Sequence, residues 1–175
     1  MPTLPFGTKA PSIHPSVFVA PTAWLTGDVQ IAADSSVFFG AVGRGDIYPI
    51  VIGPRTNIQE HAVLHTSTGI GPCIIGAGVT VGHGAIVHGA TVRDNCTIGM
   101  GSTVLDGAVI GENSIVGAQA LVPMNMQVPP GSLVLGIPAK VVRALTSEEI
   151  ESIKVNAQHY VDVSREYRAQ FQKLA

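Results

Sequence analysis

The chain has 175 residues, a formal net charge of −2, 46% apolar residues and only 13% charged ones. A balance so near neutrality excludes broad electrostatic attraction to nucleic acid, and the absence of an apolar run of about 18 residues excludes a spanning helix. So few charges leave neutral and apolar faces uncovered, which points to an oligomer with large side-by-side contacts.

Residues 1–12 are Pro-rich and read as an extended segment. They carry no charged stretch followed by an apolar one, so no export signal is expected and the location is read as cytoplasmic. From Ile13 an aliphatic residue recurs every six positions, through Val19, Leu25, Ile31 and Val37. The segment Gly43–Ile50, GRGDIYPI, breaks this phase and reads as a loop pushed out of a coil. The phase resumes at Ile52, Ile58 and Leu64, and breaks again over Thr66–Cys73, TSTGIGPC. A long regular run follows: Ile75, Val81, Val87, Val92, Ile98, Val104, Ile110, Val116 and Val122, with one five-residue step at Val87.

A six-residue period fits neither an α-helix nor an amphipathic strand; it is the mark of a β-helix built from hexapeptide rungs. Three short strands make a triangular coil of about 18 residues, each coil burying its aliphatic stack on the next. The predicted fold is therefore an all-β solenoid over 13–134. The repeat fades after Val122, and residues 135–145 leave the last coil and turn the chain back. An α-helix is predicted over 146–175. Thr146 and Glu149 form a T-x-x-E capping box, and Ile150, Ile153, Ala157, Tyr160, Val161, Tyr167, Phe171 and Leu174 form one apolar stripe. Cys73 and Cys96 stand outside any C-x-x-C pattern and read as buried free thiols in a reducing compartment.

The candidate chemistry lies in and beside the two breaks. His61, His65, His83 and His88 cluster there, whereas His14 and His159 are isolated. With a coil of about 18 residues, His65 and His83 should stack on adjacent coils, about 5 Å apart. Three imidazoles at one locus suit a divalent transition metal, and zinc with three protein ligands and an open position is the usual catalytic arrangement. An extended chain separates His83 from His88 by up to about 16 Å, so the simplest site is shared between subunits, and a three-sided prism favours a trimer. Arg44 and Asp46 lie in the first break; Asn57, Gln59 and Glu60 precede His65. Asn57 and Gln59 alternate in a strand and point the same way, placed to orient water beside a metal.

Assembled, these residues resemble the gamma-class carbonic anhydrase family over essentially all of 10–172. The resemblance is carried by RGD at 44–46, NIQE at 57–60 with His65, VTVGHGAIVHG at 79–89, IGMGSTVLDGAVIG at 98–111, GIPAKVVR at 136–143 and NAQHYV at 156–161. It implies a homotrimer of left-handed parallel β-helices with one metal per interface, Zn2+ or else Fe2+ or Co2+. The implied ligands are His65 and His88 from one subunit and His83 from the next. Arg44 and Asp46 match an interface ion pair, Asn57 and Gln59 match groups that position substrate and hydroxide, and Tyr160 matches a helix tyrosine that reaches the site. The implied reaction is reversible hydration of CO2 to bicarbonate and a proton by a metal-bound hydroxide. Ile47 stands where the archaeal prototype has a glutamate, and TSTGIGPC replaces its long acidic loop, so Glu60 and His61 are the substitutes for its proton-shuttle carboxylates and turnover is expected to be slow. Three other readings remain: a metal-dependent thioesterase or related hydrolase, a hexapeptide acyltransferase, and a trimeric scaffold whose metal only joins subunits.

Overall fold

The computed structural model describes residues 3–174, without the side chain of Leu174. The ends of the predicted N-terminal segment (residues 1–2) and helix (residue 175) lie outside the described residues, as does the side chain of Leu174 in the predicted stripe. The chain folds as a parallel β-solenoid closed by one C-terminal helix, Ser147–Leu174. Three ladders of inward aliphatic side chains run along it. The first stacks Leu25, Gly43, Leu64, Val87, Val104 and Val122. The second stacks Ile13, Ile31, Ile52, Ile75, Val92, Ile110 and Val128. The third stacks Val19, Val37, Ile58, Val81, Ile98, Val116 and Val134. Apart from Gly43, which has no side chain, and Ile13, these side chains are buried and form the core. The six-residue phase therefore does not fade after Val122; it continues through Val128 and Val134.

The coils differ in length. Along the third ladder Val19 aligns with Val37 after 18 residues, Val37 with Ile58 after 21, Ile58 with Val81 after 23 and Val81 with Ile98 after 17. Every departure from 18 falls at one corner, where the first face turns into the second: between Gly43 and Ile52, between Leu64 and Ile75, and between Val87 and Val92. The first break is not a loop. Residues Val42–Ile52 form one strand that bends round the corner. Gly27 pairs with Gly45 and Val29 with Ile50, so Asp28 faces a bulge of Asp46–Pro49.

The other corners use residues that accept left-handed backbone angles, Asn95, Asn113 and Asn125 among them. Close approach of successive coils explains one glycine: a Cβ on Gly99 would lie 2.5 Å from the Ala118 amide nitrogen. Ser132–Gly136 and Ala139–Ala144 form an antiparallel hairpin that turns the chain back. The capping box forms as read from the sequence. Thr146 Oγ1 accepts from the Glu149 amide at 3.3 Å, and Glu149 Oε2 accepts from the Thr146 amide at 2.9 Å. The Arg143 guanidinium also grips Glu149 and, with the Thr146 amide, holds its carboxyl down to about 2. The helix lies along the third face. Ile153, Ala157 and Val161 are buried there, and Phe18 stacks on Tyr167 at 5.3 Å while Phe38 meets Tyr160 edge-on at 5.7 Å. Cys73 and Cys96 are free and buried, and burial pushes each thiol up to about 12, too high for a thiolate nucleophile.

Candidate metal centre

The candidate residues collect at the two ends of the first face. At its far corner His65 and His88 are register partners. The spacing argument that stacked His65 on His83 is thus overturned: the inserted residues lengthen this coil to 23, and that length brings His88 over His65. The facing atoms are His65 Nδ1 and His88 Nε2, 2.9 Å apart. Each ring turns its other nitrogen to a carboxylate: His65 Nε2 donates to Asp46 Oδ1 at 3.1 Å, and His88 Nδ1 to Asp106 Oδ1 at 3.0 Å. The ion pair expected across an interface closes here within one chain, Arg44 Nη1 donating to Asp46 Oδ2 at 2.6 Å.

These contacts fix the protons. An ionised carboxylate only accepts, so His65 Nε2 and His88 Nδ1 must carry hydrogen. In neutral rings the two facing nitrogens are then both lone pairs. Burial pulls His65 below its ordinary value; the bond from Asp46 opposes this and the Arg44 charge adds to it, so the ring is neutral near pH 7. Burial alone would raise Asp46, but its bonds with Arg44 and His65 together hold its carboxyl below the ordinary value. Two lone pairs facing across 2.9 Å call for a positive charge. Arg44 Nη2, 3.3 Å from His65 Nδ1, supplies one at the rim. A divalent transition metal fits the same donors, because imidazole suits such ions and metal-binding histidines are typically backed by a carboxylate. Replacing Asp106 by Asn is expected to weaken Zn2+ affinity about 10–100-fold; unchanged affinity in a chelator competition would remove Asp106 from the site.

The near corner of the same face holds His83. Its Nδ1 bonds Glu60 Oε2 at 2.7 Å, and its amide donates to Gln59 Oε1 at 3.2 Å. Gln59 Nε2 donates to Asn57 Oδ1 at 3.1 Å, Asn57 Nδ2 to Thr80 Oγ1 at 2.9 Å, and Asn156 of the helix to the same Thr80 oxygen at 3.1 Å. Asn57 and Gln59 are buried, so this chain of amides is rigid, and it ends on the His83 backbone. The side chain of His83 is 48% exposed against 12% for His65, open to the surface while its ring bonds Glu60. Tyr160 and Asn156 line a cavity of about 360 Å³ with Gln59 and His83. Burial, and then Glu60, raises the Tyr160 phenol, which stays protonated. His61 does not continue the strand. It takes a left-handed turn conformation (φ 60°) and lays its ring against Gly40. Among the described residues no three His, Cys, Asp or Glu side chains of one chain come together as metal ligands. His65 and His88 come together as a pair; His83 stands at the other end of the face.

Sequence reasoning missed Asp106, Thr80 and Asn156. Asp106 sits in the VLDG stretch, where an Asp before Gly reads as an ordinary turn. Asn156 stands in the NAQHYV stretch, which the family resemblance includes without giving it a role.

Comparison with known proteins extends this reading. Residues 89–123 match the family model described as bacterial transferase hexapeptide (six repeats). A carbonic anhydrase of Geobacillus kaustophilus is 47% identical over 94% of this chain and 90% of its own length. The chain belongs to the gamma carbonic anhydrase-like hexapeptide-repeat family. The mitochondrial gamma carbonic anhydrase 2 of Arabidopsis thaliana is 42% identical over 90% of this chain, which spans only 58% of that protein's length. A crystal structure from Bacillus cereus, named as a candidate acetyltransferase, superposes with a TM-score of 0.94 at 40% identity, covering 96% of this chain and 97% of that one. The family implies a metal, and its name implies CO2 as substrate. Among the described residues no helix is long and apolar enough to cross a membrane.

Proposed function

We propose that this chain is a metal-dependent carbonic anhydrase that acts as a homotrimer of left-handed β-helices in the cytoplasm. Its site takes His65 and His88 from one subunit and His83 from the next, around zinc, ferrous iron or cobalt. The observation that carries this reading is the facing pair of ring nitrogens, each ring held from behind by a carboxylate. A second feature supports the assembly. Between the two half-sites the first face turns Trp24, Val42, Val63, Ile86, Thr103 and Leu121 outward in one register, a ladder apolar but for Thr103 and suited to a neighbouring subunit. Half-sites at opposite ends of one face are what a closed ring of three head-to-tail contacts requires.

When bound, the ion supplies a Lewis acid that lets water ionise near neutral pH. The chain's residues do the rest. Asp46, Asp106 and Glu60 each fix the orientation and tautomer of one imidazole. Asn57 and Gln59 hold the His83 backbone, and the protonated Tyr160 hydroxyl, at the same cavity, can donate to a substrate oxygen. Hydration of CO2 releases one proton with each bicarbonate. Glu60, bonded to His83 and with its side chain 35% exposed, is the carboxylate placed to pass that proton to solvent. One residue does not by itself replace an acidic loop, so the reading includes slow turnover.

The test is CO2 hydration by metal-loaded protein and by His88→Ala. The variant is expected to lose both metal and activity; equal rates would exclude catalysis at this centre. One observation favours a second reading. The cavity at His83 continues past Ile98 and Met100 to Ala118, farther than CO2 needs. Saturable acetyl-CoA binding with no metal in the purified protein would turn the assignment to acyl transfer, as the name of the Bacillus cereus protein suggests.

A further inference from the structure

We propose that Lys9 is a positioning residue for His65, acting through the bulge that carries Asp46; the proposal rests on the reading of His65 as a metal ligand. The bulge Asp46–Pro49 faces a single residue, Asp28, so it lacks a regular ladder of partners on that side. Backbone carbonyls left without partners in a part-buried place cost free energy and let a segment move. Lys9 meets this need. Its Nζ donates to Asp46 O at 3.0 Å and to Ile47 O at 2.9 Å.

Lys9 is itself well held. It closes a tight turn in which the Phe6 amide donates to Lys9 O at 2.8 Å and the Lys9 amide to Phe6 O at 3.1 Å. The strands flanking that turn, Thr3–Leu4 and Ser12–Ile13, both pair with Trp24–Ile31. From the other side the Tyr48 amide donates to Thr66 Oγ1 at 3.2 Å. The bulge is thus tethered to chain segments on both sides.

This tether bears on the centre because Asp46 divides its two oxygens, Oδ1 on His65 Nε2 and Oδ2 on Arg44. A small rotation of the backbone at Asp46 swings Oδ1 away from the ring and frees its orientation. The ammonium spends its donors on carbonyls; among the described residues Lys9 enters no ion pair with a carboxylate. Its work is therefore to fix backbone, and the nearest functional group on that backbone is Asp46.

The experiment compares wild type, Lys9→Met and Lys9→Arg. Methionine keeps an unbranched stem and loses the donors, whereas arginine can donate to both carbonyls. Without metal, two readouts follow the tether: the NMR signal of the His65 Nε2 proton, which the bond to Asp46 protects, and amide exchange over residues 46–48. Lys9→Met is expected to lose the ring-proton signal and to exchange faster over the bulge, with the Glu60 and His83 corner unchanged and Lys9→Arg like wild type. With Zn2+, chelator competition is expected to show about a tenfold weaker affinity for Lys9→Met, the lower end of the range for groups that orient a ligand. An unchanged ring-proton signal and unchanged bulge exchange in Lys9→Met would overturn the proposal. So would faster exchange throughout the chain, which would assign Lys9 to folding, or a lost signal with unchanged Zn2+ affinity. Wild-type protein that binds no Zn2+ would instead defeat the reading of His65 as a ligand, and the ring proton would still decide whether Lys9 sets its orientation.

Discussion

His83→Ala and His88→Ala are each expected to lose CO2 hydration by more than about 100-fold, since loss of a ligand exceeds the 10–100-fold cost of losing a group that orients one. Refolded together in equal amounts, they are expected to recover about one quarter of the wild-type rate, because in the proposed cyclic trimer each site draws on two neighbours and random assembly gives one site in four both intact corners. The expectation follows from the placement of the two half-sites. His65 and His88 share a corner in register, while His83 is turned outward at the other end of the face, bonded to Glu60. Stopped-flow hydration and metal content of the mixture provide the check. A mixture no more active than the separate variants would place the reaction within one chain and defeat the shared site.

Ile98→Ala is expected to cost about 2–5 kcal/mol, the range for removing a buried Ile side chain from a packed core. Melting of the metal-free protein should fall by about 4–20 °C for a chain of this size. Ile98 is fully buried midway along the third ladder, with Val81 on one side and Val116 on the other. Ile74→Ala supplies the contrast. Ile74 points outward from the second face with 37% of its surface exposed, and its loss is expected to change stability by about 0.5 kcal/mol or less in the isolated chain. Similar melting shifts for the two variants would mean that the inward phase of the ladders has been misassigned.

Much of this architecture was legible in the sequence because a solenoid is local. Each rung repeats the same demand, an aliphatic residue facing in, and the phase can be followed from Ile13 to Val122 without knowing any long-range contact. Val128 and Val134 are harder to see because Pro123, Met124, Met126, Pro129 and Pro130 obscure the same six-residue step. The candidate residues were legible in the sequence, their arrangement less so. His65, His83 and His88 stood out as a cluster, but their pairing depended on coil length, and the residues inserted after Leu64 shifted the register from His83 to His88. Gly43–Ile50 reads as a loop in the sequence because the phase breaks there, although its backbone belongs to one strand. Asp106 and Lys9 were hidden for a plainer reason. Each acts across a gap in sequence, Asp106 on His88 from 18 residues away and Lys9 on Asp46 from 37, and no local pattern marks either contact.

The confinement of every length change to a single corner has an evolutionary consequence. The ladders re-form on both sides of that corner whatever the chain does between them, so residues 67–72, none of them buried, can be shortened or extended without disturbing a buried side chain. Closing a longer excursion adds only about 0.6 kcal/mol for each doubling of its length. The excursion leaves directly from His65 and rejoins the prism at Cys73–Ile75. Selection can therefore reshape the approach to the histidines, and with it the molecules admitted, while the prism that holds them stays the same.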